Sequence, residues 1–307
     1  MDADRGDVLS LSKGDSVESR FLRGVPRGQR LLTEVPRSAA AVVGSLALAS
    51  ALMACSPGRT PRQQPAASPS TTTSPSASAS TSASSGADDI FEGAVVGIDP
   101  GHNGGNAGAP EVINEPVWNG RSESPCNTTG TATNDGYPET DFTWAVAQKL
   151  ATDLRESGAK VVMTRGSNEG VGPCIDERAK TINDAKADVA IDIHADGAAA
   201  SERGYSLLIP VPSGTNDEVV EPSRRYARML RTEMRKTGMP LADYLGEGGF
   251  VERDDLAGLN LTTVPQVLLE TGNMRNPQDA RLLKSDRFQA RTAAAIKRAM
   301  AAYLRSR

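Results

Sequence analysis

From Ala94 onward the chain alternates short β-branched runs with longer stretches whose apolar residues recur every three to four positions. The first kind of pattern predicts buried strands and the second amphipathic helices. Strands are expected at Ala94–Asp99, Lys160–Arg165, Asp188–His194, Tyr205–Pro210 and Val264–Gly272, with a further surface strand within Leu241–Val251. A helix opens at Glu139, carries Phe142, Val146 and Leu150 on one face, and stops at Ser157-Gly158, a C-cap signal. Further helices are expected over Ile175–Ala185, Val219–Thr237, 278–284 and Arg287–Leu304. Residues 100–138, rich in Gly, Asn, Thr and Pro, read as one long functional loop. Strand–helix alternation of this kind implies a single α/β domain at 90–307, built on a mostly parallel twisted sheet with helices on both faces.

The first 89 residues follow other patterns. Residues 1–35 are polar and charged without sustained periodicity. Residues 36–55 join a basic position, Arg37, to an apolar run too short for a spanning helix, and so suit a signal peptide. That run closes in Leu52-Met53-Ala54-Cys55, which resembles a bacterial lipobox with Met53 at a position usually held by a small residue. Cys55 is the expected lipidation site, and a translation start near Val35 accounts for the long extension before it. Residues 56–89 are Ser, Thr, Ala and Pro with a few charges. This composition builds no core and reads as a disordered tether. The expected product is exported to the periplasm or cell envelope and held at a membrane by its lipid.

A net charge of −4 argues against a nucleic-acid binder that works through a broad basic surface. Of three cysteines, Cys126 and Cys174 remain once Cys55 is set aside, both in loop-like segments. In an exported chain such a pair reads as a disulfide, worth about 4 kcal/mol in the chain-entropy model. Metal ligation is the alternative, against which stands the absence of the close CxxC spacing of thiolate zinc sites.

The chain has two histidines, and both follow a strand and an aspartate: Ile98-Asp99-Pro100-Gly101-His102 and Asp192-Ile193-His194-Ala195-Asp196. Glu139 begins a helix and Glu270 closes the Val267–Leu269 run. Strand ends and the following helix starts share one edge of a doubly wound sheet, so these four residues can converge. Two imidazoles, a carboxylate and an open position form the ligand set of a hydrolytic zinc site, and a further carboxylate can move the proton of the attacking water. Residues 101–108 contain neither a GxGxxG pattern nor the Gly-Lys-Ser/Thr ending of a phosphate loop.

These segments, with Leu268-Leu269-Glu270-Thr271-Gly272-Asn273-Met274, resemble the zinc-dependent N-acetylmuramoyl-L-alanine amidases across the folded domain. The resemblance is closest to mycobacterial cell-wall amidases that lack a separate wall-binding domain. It implies that His102, Glu139 and His194 hold zinc and that Glu270 is the catalytic base. The reaction implied is hydrolysis of the amide between N-acetylmuramic acid and L-alanine in peptidoglycan, by a monomer. Arg253 and Asn260 are candidate substrate contacts. Some relatives insert an autoinhibitory helix before the last strand. Here Asn216–Pro240 holds one helix that the fold itself needs, so an open site is expected. The competing readings are a non-catalytic peptidoglycan-binding lipoprotein and a zinc peptidase acting on the stem peptide.

Overall fold

The computed structural model describes residues 89–307. The expected N-terminal extension, signal peptide, Cys55 and tether lie outside the described residues. Six strands form one sheet in the order β4-β1-β5-β8-β6-β7. They are β1 (Val95–Pro100), β4 (Lys160–Met163), β5 (Val189–Asp196), β6 (Ser206–Pro210), β7 (Phe250–Arg253) and β8 (Gln266–Asn273). All neighbouring pairs run parallel except β6 against β8.

Period-two alternation gives this sheet two unlike faces. Val96 and Ile98 of β1, Ile191 and Ile193 of β5, Leu207 of β6, and Val267 and Leu269 of β8 join one large buried cluster. It is completed by α2 (Glu139–Glu156), α4 (Val220–Met234) and α7 (Asp286–Arg305), through residues such as Phe142, Leu150, Leu230, Ile296 and Met300. The opposite face is only partly covered. There α3 (Ile175–Asp184) packs Ile182 on Ala190 and Val264, and the one-turn α5 (Ala257–Asn260) packs Leu259 on Leu208 and Leu268. A short α6 (Pro277–Leu283), capped by the Asn276 side chain on the amides of Gln278 and Asp279, precedes the last helix.

Four expectations need correction. β5 runs two residues past its predicted end at His194, so that His194 sits within the strand rather than at its end, and β8 runs one residue past Gly272; His194 and Glu270 pair directly across the sheet. The apolar runs stop at these residues because the face they line turns polar, while backbone pairing continues. Residues 100–138 are not one loop: they hold α1 (Pro110–Ile113) and a hairpin of β2 (Pro116–Trp118) and β3 (Glu123–Pro125). The strand expected within Leu241–Val251 is confined to Phe250–Arg253, since Gly246, Gly248 and Gly249 all take positive φ just before it. The second predicted strand ends two residues early, at Met163, and Arg165 turns inward, buried, to serve the loop after β1.

A disulfide joins Cys126 to Cys174, tying the stretch after β3 to the residue that precedes α3. The bond uses both thiols and so removes them from any ligand set. The α4 helix lies on the well-covered face, where Tyr226 and Leu230 enter the main core. No residue of 216–240 lines the cleft described below. Among the described residues, no helix is long and apolar enough to cross a membrane.

Candidate active site

The partly covered face of the sheet holds a cleft of about 390 Å³. Its floor is made by same-face side chains of three neighbouring strands: Asp192 and His194, Leu268 and Glu270, and Leu208. Asn127, Thr128 and Thr131 form one wall, and Arg253 and Asp255 lie among its other lining residues.

His102 leaves β1 at φ 58°, a left-handed conformation that L side chains seldom adopt. Such strain persists only where the surroundings hold it. Here the carbonyls of the turn are occupied by donors. The Pro100 carbonyl accepts from Arg165 Nε and from an Arg178 guanidinium nitrogen, each at 2.9 Å. The His102 carbonyl accepts from Arg178 at 2.6 Å, and that of Gly101 from the Thr143 hydroxyl at 3.0 Å. Asp99, buried below the turn, holds Arg178 in an ion pair of 2.5 Å. Gly101 is required by packing: a Cβ there would lie 2.3 Å from the His194 ring.

Glu139 is the first residue of α2 and is 3% exposed. One of its oxygens accepts from the Thr131 amide at 2.9 Å, and the other from the Ala195 amide at 3.1 Å. Burial opposes its ionisation, but the two imidazoles outweigh burial and hold the carboxyl below its ordinary range. The His102 and His194 rings meet edge to face at 4.8 Å between centroids.

Each imidazole has an outer and an inner nitrogen. His102 Nδ1 faces the Thr128 carbonyl at 3.2 Å, and His194 Nε2 faces the Asp192 carboxylate at 3.1 Å. All four ring nitrogens face an oxygen, and the arrangement that leaves metal ligands is a pair of neutral rings, each with its hydrogen on the outer nitrogen. The inner nitrogens, His102 Nε2 and His194 Nδ1, are then left with lone pairs. They lie 3.3 Å and 2.9 Å from the two oxygens of Glu139. Lone pairs that converge in this way call for a cation between them. A proton meets the same demand in part: burial resists the charge, yet Asp192 and Glu139 hold His194 well above its ordinary value. Donor atoms of His102, Glu139 and His194 all lie within 4.8 Å of one another, so the three residues fit a metal ion.

Glu270 lines the cleft beside His194, and its Oε2 is buried without a hydrogen-bond partner. Burial pushes its pKa up to about 8, with the charges of Glu139, Asp196 and Asp192 adding to the rise against the pull of His194. A carboxyl near neutrality that lacks a donor can both take and return a proton. Arg253 reaches the cleft with its guanidinium bound in two places to Asp255. Asn260 is fully buried. It donates to the carbonyls of Asn119 and Asp254, joining the β2–β3 turn to the end of β7. Sequence reasoning missed Arg178, Arg165 and Thr128. Nothing in their spacing marks them, since their partners are carbonyls distant in sequence. Asp99 and Asp192 were visible only as residues preceding the histidines.

A single α/β domain with a His–Glu–His donor set beside a glutamate whose Oε2 is buried without a donor has the build of a hydrolytic enzyme with a metal-binding centre. Comparison with known proteins narrows this class. The chain belongs to the N-acetylmuramoyl-L-alanine amidase family, whose profile matches residues 96–302. It is 40% identical over 213 residues to the N-acetylmuramoyl-L-alanine amidase Rv3717 of Mycobacterium tuberculosis, covering 69% of this chain and 87% of that protein. The crystal structure of the amidase Ami1 from Mycobacterium smegmatis superposes with a TM-score of 0.67 at 39% identity, covering 71% of this chain and 99% of that one. The apo form of Ami1 from Mycobacterium abscessus gives 0.64 at 39% identity, over 69% and 99% of the two chains.

Proposed function

We propose that this protein is a zinc-dependent N-acetylmuramoyl-L-alanine amidase that releases stem peptides from peptidoglycan in the cell envelope. The observation that carries the reading is the convergence of the two inner imidazole nitrogens on the Glu139 carboxylate, next to a glutamate without a donor. His102, Glu139 and His194 would hold the zinc. When bound, zinc would polarise the amide carbonyl and lower the pKa of water toward neutrality.

The remaining work falls to the chain's own groups. The strand pairing of His194 with Glu270 sets the base beside the ligand set. Glu270 removes a proton from the attacking water and delivers it to the leaving nitrogen of L-alanine. Its raised pKa suits both halves of that transfer. Arg253, at the cleft, offers its guanidinium to the carboxylates of the stem peptide, in competition with Asp255. Asn260 belongs to this reading through the hairpin and β7 segments that it joins. The proposed setting is that of an exported, monomeric lipoprotein anchored through Cys55.

Digestion of purified muropeptides, followed by mass spectrometry with and without a chelator, tests the reading. The expected product is an intact peptide with an N-terminal alanine, formed only when metal is present. Glu270→Ala is expected to lower turnover by about 10³-fold with zinc still bound. Full activity in that variant, or products cut within the peptide, would overturn the assignment.

A further inference from the structure

The aspartate that precedes each histidine is not used by the mechanism above, and the structure gives the two aspartates different tasks. Asp99 and Asp192 are register partners on β1 and β5 and lie on the same face of the sheet. Asp99 acts on backbone: it holds Arg178, whose guanidinium donates to the His102 carbonyl. Asp192 acts on a ring. Two residues before His194 on one strand, it points to the same side, and its Oδ1 lies 3.1 Å from His194 Nε2.

We infer that Asp192 is a positioning residue for the metal centre, one that holds the His194 ring so that Nδ1 is presented to the ion. Three observations carry this. Asp192 is 6% exposed, and its Oδ1, which has no well-aligned hydrogen bond from any described group, lies in an ion-pair contact of 3.1 Å with His194 Nε2. The ring is packed on one side against Gly101, so closely that a Cβ there would clash with three of its atoms. The nitrogen on the other side of the ring is the one 2.9 Å from Glu139. A carboxylate on the outer nitrogen fixes the tautomer and raises the basicity of the inner one, and loss of such a partner typically costs ten- to hundred-fold in metal affinity. The outer nitrogen of His102 lies 3.0 Å from the Thr128 hydroxyl and 3.2 Å from the Thr128 carbonyl, and the carbonyl stays in place when the side chain is changed. His194 is therefore the ligand whose orientation a single substitution can release.

This inference rests on the metal-centre reading, and the experiment separates the two. Zinc affinity is measured by chelator competition on the full chain for wild type, Asp192→Asn and Asp192→Ala. Thermal unfolding of each is followed in excess chelator. Both variants are expected to bind zinc ten- to hundred-fold more weakly. Asp192→Asn is expected to keep the wild-type melting temperature in chelator, because it preserves the shape of the side chain. Variants that bind zinc as tightly as wild type overturn the proposal alone. So does an affinity loss that merely follows a lowered melting temperature in both variants. Wild-type protein that binds no zinc removes the metal centre, and this proposal with it.

Discussion

On β5, Ile191 and Ile193 point into the layer packed by α2 and α7, while Asp192 and His194, one residue out of phase, point into the cleft. The same division runs through β8, where Val267 and Leu269 enter the core and Leu268 and Glu270 line the cleft. One face is closed by three long helices and consists almost wholly of hydrocarbon. The other is covered in part by a ten-residue helix and a single turn, and it gathers Asp99, Asp192 and Glu139 in buried positions beside the half-buried Glu270. The helix-covered face therefore stabilises, and it carries the strain and the buried charge of the other. A functional site of this kind can tolerate positive φ at His102 and unpartnered acid oxygens because the strands beneath it are anchored from behind.

Substitutions sharpen this contrast. The largest loss of stability is expected on the cleft face, at Arg178→Met, which leaves Asp99 buried and unpaired. Chemical denaturation should show a loss of about 3–5 kcal/mol. A loss below about 1 kcal/mol would mean that the ion pair does not hold the turn. On the helix face, Leu269→Ala removes a fully buried side chain and is expected to cost about 2–5 kcal/mol, with turnover per folded molecule unchanged. Altered turnover in the folded fraction would break the division of labour between the faces.

Glu270→Gln should have the opposite sign in metal-free protein. The carboxyl of Glu270 is held near 8 in the fold against an ordinary value of 4.5. The unfolded chain therefore releases this proton first, and native stability falls as pH rises from about 4.5 to about 8. Glutamine removes that penalty, so the variant should exceed wild type by roughly 2–3 kcal/mol at pH 8 and match it near pH 4. Equal denaturation midpoints at both pH values would contradict the buried, donor-free setting of Glu270 Oε2. The smallest effect is expected at Arg253→Ala. Its guanidinium is partly exposed and already paired, so KM for a muropeptide should rise by about fivefold with kcat little changed. An unaltered KM would place the stem-peptide carboxylates elsewhere in the cleft.

Much of this arrangement was legible in the chain. The β-branched runs located β1, β5, β6 and β8, and helical spacing located α2, α3, α4 and α7 to within a few residues. His102, His194 and Glu270 stood out because each follows an apolar run, and Glu139 because it opens a helix. What misled was the reading of an apolar run's end as the end of a strand. In β5 the strand was expected to end at His194, yet the ladder continues to Asp196. Hydrophobicity reports what a side chain faces, whereas strand length is decided by backbone pairing with neighbours remote in sequence. The 100–138 stretch was opaque for a related reason. Its structure is fixed by side-chain bonds to distant carbonyls, such as Asn127 to Pro173 and Asn119 to Asp255, and by the disulfide.

Local sequence thus determined the alternation of strands and helices, the turn after β1, and four residues that line the candidate site. These follow from side-chain type and from spacing along a few residues. Tertiary structure alone decided that His194 and Glu270 sit side by side on an open sheet face, and that Arg178 and Arg165 reach back to the His102 turn. It also decided that Asp99 and Asp192, alike in the sequence, serve two histidines in different ways. The physical reason is that orientation and partner choice depend on strand register and on buried polar groups finding one another across 50 to 90 residues, distances over which local pattern carries no information.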